Sequence, residues 1–350
     1  MHNKSCSITE ICTRAKNGNR IYCFGAGKAL TRTLELNKKY HLEKYISYIV
    51  DNSSEKIGQE ISIGGQRIEI IDVVRLSNMI QRGDFILITS IYEDQIVAQL
   101  EGISEFKDIE YCGYRVANGL QYDMEREQIL IPEKLHLYDE IKIPKVIHYC
   151  WFGRKPIPKQ YRKWMDSWKK YCPDYEIIEW NEDTFDVTQN DYVWQAYESE
   201  KWAFVSDFVR VDVVEKFGGV YLDTDVELVR NIDELLMNDA FCGFESTDFI
   251  NFGLGYGAVQ GHPIIKKLRD DYMDRRFIME DGSLNLKPCP QYQTELLRSY
   301  DLQTNGEFQI LDGITILPEV VLSGKSYASK RIISDLSNTY AIHHFAGSWL

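Results

Sequence analysis

The sequence predicts two α/β units in succession, and three observations carry that expectation. The chain has 350 residues, more than one ordinary hydrophobic core organises and enough for two domains of common size. All seven tryptophans, at 151, 164, 168, 180, 194, 202 and 349, fall after residue 150. Short apolar runs of strand length alternate with stretches whose apolar residues recur at helical spacing, the pattern of sheets flanked by crossover helices. Ile131–Lys145 (IPEKLHLYDEIKIPK) reads as the linker, which gives domains over residues 1–135 and 144–350.

Composition narrows the partners. Hydrophobic residues make up 44% and mean hydropathy is −0.34, as in soluble globular chains. A formal charge of −13 leaves no broad phosphate-contacting surface, so nucleic acid is excluded as a partner. RKPIPKQYRKWMDSWKK, Arg154 to Lys170, stands apart as basic and aromatic. It reads either as a solvated helix face or as a patch that meets an anionic substrate or lipid headgroup, through transient contact with a membrane surface. Cysteines at 6, 12, 23, 112, 150, 172, 242 and 289 form no CxxC pair, which suits reduced, buried thiols better than disulfides or a zinc site. Neither the amino-terminal MHNKSCSITEICTR nor any later apolar run approaches a bilayer span. The expected location is cytoplasmic, at most peripheral to the inner face of the cell membrane.

In the first unit, RIYCFGAGKAL reads as a strand breaking through a Gly turn into a helix. YISYIVDNS is a second strand ending in Asp51, EKIGQEI a turn, DVVRLSNMIQ a helix, DFILITSI a third strand, and a further helix starts at Glu93. This alternation implies a parallel sheet with right-handed crossovers. Gly25 and Gly27 would open the first helix beside a phosphate, and Asp51 would sit where a ribose binds. Leu30 occupies the place of the third small residue of that fingerprint. Through FGAGK, IVDNSSEKIG and ITSIYEDQI the unit resembles the Rossmann-like module attached to bacterial sugar-modifying proteins, including certain sugar acyltransferases. A structural or docking role competes with nucleotide binding there, and a nucleotide-binding regulatory protein led by this unit is an alternative function.

The second unit begins with KVIHYCWFGRKPIP, a strand carrying His148 and ending at Trp151, Phe152 and Gly153. EIIEWNE is another strand. AFVSDFVRVDVVEKFGG has apolar residues at 204, 205, 208, 209, 213, 214 and 217, a helical spacing that the Gly pair ends. Asp207 and Arg210 are neighbours on that helix. An exposed pair would contribute little, whereas apolar surroundings place it to hold a polar ligand. GGVYLDTDVEL then sets Asp223 and Asp225 at a strand end, where carboxylates two apart point the same way and can share one divalent ion. Oxygen ligands favour Mg²⁺ or Mn²⁺, which would offset the charge of a diphosphate. A phosphatase of the haloacid-dehalogenase type also uses such a pair. Glu227 stands where that motif has a small residue, and no GDxxxD metal motif follows.

IPKVIHYCWFG, AFVSDFVR, GGVYLDTD and HHFAGSW, in that order, resemble the DxD sugar-binding glycosyltransferases, a group that includes α-1,6-mannosyltransferases, bacterial capsular polysaccharide enzymes and, more distantly, glucosylating toxins. The resemblance spans roughly residues 144 to 350 and implies a GT-A fold that binds a nucleotide sugar. Carried over residue by residue, it puts Trp151 beside the base and Ser206, Asp207 and Arg210 on the sugar and ribose. Tyr221 would line the donor pocket, Asp223 would contact ribose or metal, and Asp225 would bind the metal. In YAIHHFAGSWL, His343 fits the third ligand position, with His344 as competitor, and Trp349 would close over the donor. Acceptor contacts fall on Glu245, Asp248 or Asn251. KPCPQYQT departs from the group's pattern, with Cys289 where a Gly precedes the Pro. The implied reaction moves a sugar from a nucleotide sugar (UDP-sugar ahead of GDP-mannose) to a glycan or lipid-linked glycan, with retention, in bacterial surface polysaccharide synthesis. No residue stands out as a nucleophile, which favours same-face attack.

Overall fold

The computed structural model describes residues 1–347, in two compact units, Met1–Glu125 and Arg126–Leu350. The first contains strands β1 (His2–Asn3), β2 (Ile21–Phe24), β3 (Ile46–Val50), β4 (Glu60–Ile63), β5 (Gln66–Ile71), β6 (Phe85–Ile88) and β7 (Glu110–Gly113), with helices α1 (Ile8–Lys16), α2 (Lys28–Leu36), α3 (Val73–Met79), α4 (Glu93–Glu101) and α5 (Tyr114–Arg126). The sheet order is β1-β7-β6-β2-β3-β5-β4, and every pairing is parallel except β4 with β5. Strands β2 and β6 (IYCF and FILI) are buried along their whole length, because helices cover both faces and each alternate residue needs an apolar partner. Ile21 and Cys23 join one core with Ile8, Ile11 and Leu30. Tyr22 and Phe24 join another with Leu76, Ile96 and Leu100.

One expected turn is only half a turn. Residues 55–58 of EKIGQEI bend, but the segment then continues into the β4–β5 hairpin. Gly64 and Gly65, both at positive φ, make its two-residue connection, the conformation that such a hairpin demands.

The second unit contains β8 (Val146–Cys150), α6 (Lys159–Tyr171), β9 (Glu176–Trp180), α7 (Asp191–Glu198), α8 (Trp202–Phe217), β10 (Gly219–Tyr221), β11 (Val226–Leu228), β12 (Ala240–Ser246), β13 (Phe249–Ile250), β14 (Tyr256–Ala258), α9 (Pro263–Met273), α10 (Cys289–Arg298), β15 (Gln309–Leu311), β16 (Ile314–Leu317), α11 (Glu319–Leu322) and β17 (Ala341–His343). Its main sheet is mixed, in the order β15-β16-β12-β14-β10-β8-β9, and β11 pairs with β17 in a separate two-stranded sheet. Helix α8 lies against one face, with Val205, Phe208 and Val213 in a core that includes Tyr221 and Tyr256. Helix α6 serves the other, where Trp168 packs with Tyr149, Val226 and Leu228.

The stretch expected as a linker is laid along this second unit. Leu135 and Ile143 are core residues. The amides of Leu137 and Tyr138 donate to the Met237 carbonyl, and those of Lys142 and Ile143 to that of Leu236. Two buried apolar anchors and four backbone bonds hold it. All eight cysteines are free and buried.

The Gly pair has a physical cause. Gly218 caps α8 at φ 67, ψ −173, a region open almost only to glycine. A Cβ there would come within 2.9 Å of the Gln260 amide nitrogen. His148 completes the junction: its Nε2–H donates to the Gly218 carbonyl (2.9 Å) and its Nδ1 accepts from Trp180 Nε1 (3.1 Å). Burial lowers its pKa and keeps it neutral. Gly218→Ala is expected to cost about 3 kcal/mol, read as a lower urea midpoint at unchanged slope.

Candidate active site

Helix α8 is buried around nearly its whole circumference, so its polar residues face protein. Arg210, 5% exposed, and Asp207, 7% exposed, are therefore no surface pair. Arg210 Nη2 lies 3.1 Å from Asp207 Oδ1 and 3.3 Å from Asp223 Oδ1. Its guanidinium stands over the Tyr221 ring at 5.0 Å, and Tyr221 Oη donates to Asp223 Oδ1 at 3.0 Å. Below, Arg210 Nε donates to the Ser206 carbonyl (3.2 Å) and Tyr256 Oη to the Arg210 carbonyl (2.6 Å). Charge, ring and backbone thus fix the guanidinium from three sides.

Asp223 and Asp225 do not share a strand face, as their spacing suggested. Strand β10 ends at Tyr221, and the two aspartates occupy the tight link to β11, closed by a bond from the Val226 amide to the Asp223 carbonyl (3.0 Å). The turn converges the side chains. Strand β17 then brings the distant chain end in, with His343 in register with Val226. His343 Nε2 lies 3.2 Å from Asp225 Oδ1 and 3.9 Å from Asp223 Oδ2. The Ala346 amide donates to Asp225 Oδ2 at 2.8 Å.

His344 falls on the other side of the strand, as alternation requires. Its Nε2 meets Glu227 Oε2 at 2.9 Å, and its ring stacks on Trp164 at 4.1 Å. The structure thus separates the two histidines offered as ligands: His343 joins the aspartates and His344 does not.

Electrostatics follow the geometry. At Asp223 burial raises the pKa, Arg210 opposes it and Asp225 adds to it. At Asp225 burial is outweighed by the charge and hydrogen bond of His343 and by the Ala346 amide, so its pKa falls to about 2. Burial disfavours a charged His343, but the surrounding carboxylates raise its pKa above the ordinary value. The candidate ligand atoms of Asp223, Asp225 and His343 lie within 4.8 Å of one another. Two carboxylates and an imidazole whose Nε2 faces them fit a divalent cation, which would take the place of a proton on that nitrogen.

The remaining expected residues scatter. Trp151 sits just past β8, half-buried, its Nε1 bonded to the Lys155 carbonyl. The Ser206 hydroxyl is turned back onto the Trp202 carbonyl (3.1 Å), so only its backbone serves Arg210. Asn251 is buried, accepts from the Gly253 amide and donates to Glu245. Burial raises the Glu245 pKa against that bond. Asp248 is exposed in the turn after β12, where its amide donates to the Ser246 hydroxyl at 3.3 Å. Trp349 lies outside the described residues. In the first unit Gly25, at φ 116, leaves no room for a Cβ beside the Thr89 carbonyl, and Gly27 precedes α2. The Asp51 carboxylate accepts from the Ala26 amide (2.8 Å) and meets Lys56 Nζ at 3.1 Å. Asp51 therefore already grips the glycine loop.

Some site residues escaped the sequence reading. Cys289, noted only as a departure, has its Sγ 3.9 Å from Arg210 Nη1. Lys330 stands over the rings of Tyr327 (4.0 Å) and Phe345 (4.8 Å), and Phe345 meets His343 edge-on at 4.4 Å. Gly253 is the most confined: a Cβ there would lie 2.3 Å from Asp223 Oδ2 and 3.0 Å from Arg210 Nη1. The glycines flanking Leu254 in FGLGYG were the available signal.

Comparison with known proteins attaches to this geometry. Residues 158–242 match the glycosyltransferase sugar-binding region containing a DXD motif. The second unit carries that region, which includes α8, the Gly pair and both aspartates. The chain is similar to inositol phosphoceramide mannosyltransferase 3 of Schizosaccharomyces pombe, 32% identical over 131 residues, 35% of this chain and 35% of that protein. It is similar also to mannosyl phosphorylinositol ceramide synthase SUR1 of Saccharomyces cerevisiae, 28% identical over 129 residues, 36% of this chain and 33% of that protein. The chain spans about a third of the length of these curated relatives. Among solved structures, the PaToxG glycosyltransferase matches at 20% identity over 46% of this chain and 70% of that chain, with a TM-score of 0.35, too low to bear on fold or chemistry.

Two outcomes follow. Gly253→Ala should push the Asp223 carboxylate aside and weaken Mn²⁺ binding by about tenfold or more, with the circular dichroism spectrum unchanged. Mn²⁺ affinity of the intact protein should rise from about pH 6 to about pH 8, because binding displaces a proton from His343. Calorimetric titrations across that range should lose most of this slope in His343→Gln. In the metal-free chain the raised His343 pKa contributes stability that is fully present below the unfolded value and is lost as pH rises through the folded one.

Proposed function

We propose that the second unit is a metal-dependent glycosyltransferase, taking a sugar from a nucleoside-diphosphate sugar and passing it to a glycan or lipid-linked glycan. The observation that carries this reading is the cluster of partly exposed Asp223 with buried Asp225 and His343, braced through Arg210 to Asp207, its two aspartates on a stretch that matches a DXD sugar-binding region. A divalent ion, Mn²⁺ or Mg²⁺, held by those three residues would neutralise the diphosphate and ease its departure.

The protein's own groups supply the rest. Asp207, in reach of Arg210, accepts hydrogen bonds from sugar hydroxyls. Arg210 has five fixed N–H donors and exchanges part of its pairing with Asp223 for the donor's oxygens as charge develops there. Tyr221 keeps Asp223 oriented. Trp151, at the end of β8, is proposed to flank the base, and Trp349 to cover the donor. Transfer proceeds with retention by same-face attack: the anomeric carbon–phosphate oxygen bond breaks, the acceptor oxygen bonds that carbon, and its proton passes to the departing phosphate. Glu245, Asn251 and the exposed Asp248 are the acceptor-side groups, the first two joined by a hydrogen bond.

The names of the relatives shift the donor and acceptor. A UDP-sugar and a bacterial surface polysaccharide were the sequence's expectation, whereas the relatives are named for mannosyl transfer to phosphoinositol ceramide. The donor set to test is therefore GDP-mannose beside UDP-hexoses, and the acceptor class is an anionic, lipid-borne headgroup as well as a glycan. Calorimetric titration of the full chain with these donors, with and without Mn²⁺, decides the reading. One donor should bind only with metal, and Asp225→Asn should abolish that binding. Metal-independent binding, or full binding by the variant, would overturn it.

A further inference from the structure

Helix α6 has two faces with different work. Its inner face holds the strand that follows the aspartate turn. Trp168 Nε1 donates to the Val226 carbonyl (2.9 Å) and the Leu228 amide to Ser167 Oγ (2.8 Å). One turn earlier, Trp164 stacks on His344, whose amide donates to the Asp225 carbonyl at 2.9 Å. Three side chains of one helix thus grip β11 and the segment beyond β17, the two pieces that frame the candidate metal cluster.

Among the described residues the outer face makes only local bonds, from Arg162 Nε to the Ile157 carbonyl (3.2 Å) and from Lys170 Nζ to Tyr171 Oη (3.0 Å). Lys159, Arg162, Lys163, Lys169 and Lys170 are exposed along it, and Arg154 and Lys155 are exposed just ahead. From Arg154 to Lys170 seven basic residues face one acidic residue, Asp166, in a chain with 40 basic and 53 acidic residues. A stripe so opposed in sign to its own protein is poorly explained by solubility, which the acidic excess already provides. Among the described residues only Arg154 of these seven makes an ion pair, with Asp183. Beside the stripe runs a ladder of half-buried rings, Trp151 edge-on to Tyr161 (5.9 Å) and Tyr161 edge-on to Trp164 (5.3 Å).

We propose that this face of α6 docks the second unit on an anionic phospholipid bilayer. Lysine stems can lie along the ring ladder with their ammonium groups among the lipid phosphates, and tryptophan and tyrosine sit favourably at headgroup depth. No helix among the described residues is long and apolar enough to cross a membrane, so docking is by surface contact. The acidic remainder of the protein disfavours a nucleic acid, which would wrap beyond the stripe and meet repulsion. A helix is about 10 Å across, so a bilayer on the outer face lies roughly that far from the aspartate turn gripped by the inner one. A lipid-borne headgroup then reaches the cluster without leaving its membrane. Docking rests on the proposed reaction only for that consequence, and vesicle binding is measurable whether or not transfer occurs.

The test is co-sedimentation of the full chain with vesicles of phosphatidylcholine alone or mixed with phosphatidylglycerol, at low and at physiological salt. Binding is expected only to the mixed vesicles, and weaker at the higher salt. Lys159→Gln with Lys163→Gln should lower that partitioning about thirtyfold, on the order of fivefold for each charge removed. The double variant should keep its circular dichroism spectrum and its Mn²⁺ affinity. Equal binding to both vesicle types, no binding to either, or full binding by the double variant would overturn the proposal. So would displacement from vesicles by free glycerol phosphate at the same headgroup concentration, which would make the stripe a small-anion site.

Discussion

A buried guanidinium between two carboxylates organises the second unit. Left alone, Asp207 and Asp223 would lose hydration without compensation, and the cost would fall on the core that surrounds them. Arg210 offsets both, and its position is fixed by a tyrosine ring beneath and another tyrosine's bond to its carbonyl. The price is that Arg210 can sit in only one place. Helix α8 must therefore be buried on all sides, Gly253 can carry no side chain, and the turn after β10 must aim Asp223 inward. Cys289 belongs to the same constraint: a small, weakly polar side chain fills the remaining flank of the guanidinium. A larger residue there would displace the charge.

The second carboxylate obeys a different rule. Asp225 lies beside an imidazole and a backbone amide, so its negative charge is favoured, whereas Asp223 leans on Arg210. Two aspartates with one residue between them thus hold unlike electrostatic positions. Their separation of roles comes from partners contributed by distant parts of the chain, α8 for one and β17 for the other.

Much of this was legible in the sequence, and the limits have physical reasons. Strands β2 and β6 were visible because burial on both faces demands unbroken apolar runs. Helix α8 and its terminus were visible because glycine must follow where φ turns positive. The β4–β5 hairpin was missed although Gly64–Gly65 marked it, because the preceding EKIGQEI already satisfied a turn. The stretch read as a linker is held because Leu135 and Ile143 enter a core, which nothing local in Ile131–Lys145 announces. At the site, composition pointed to Asp223 and Asp225, but not to the turn that converges them. Strand alternation stated that only one of His343 and His344 could face the aspartates, and the pairing of β17 with β11 selects which. Gly253 left only the repeated glycines of FGLGYG as a sign, which do not say that one of them yields space to a carboxylate, and Lys330 was illegible, since nothing local marks a lysine stacked on two rings.

The pairing of β11 with β17 has a consequence for synthesis. Translation that has just placed Asp225 must still deliver His343, many residues later, and at about 5–20 residues per second that takes on the order of ten seconds. Throughout that interval the nascent sheet has a bare edge at β11, and its carboxylate pair lacks the imidazole that completes it. The emerging chain thus has two of the three cluster side chains and an unpaired strand. The three side chains come together only when β17 docks on β11.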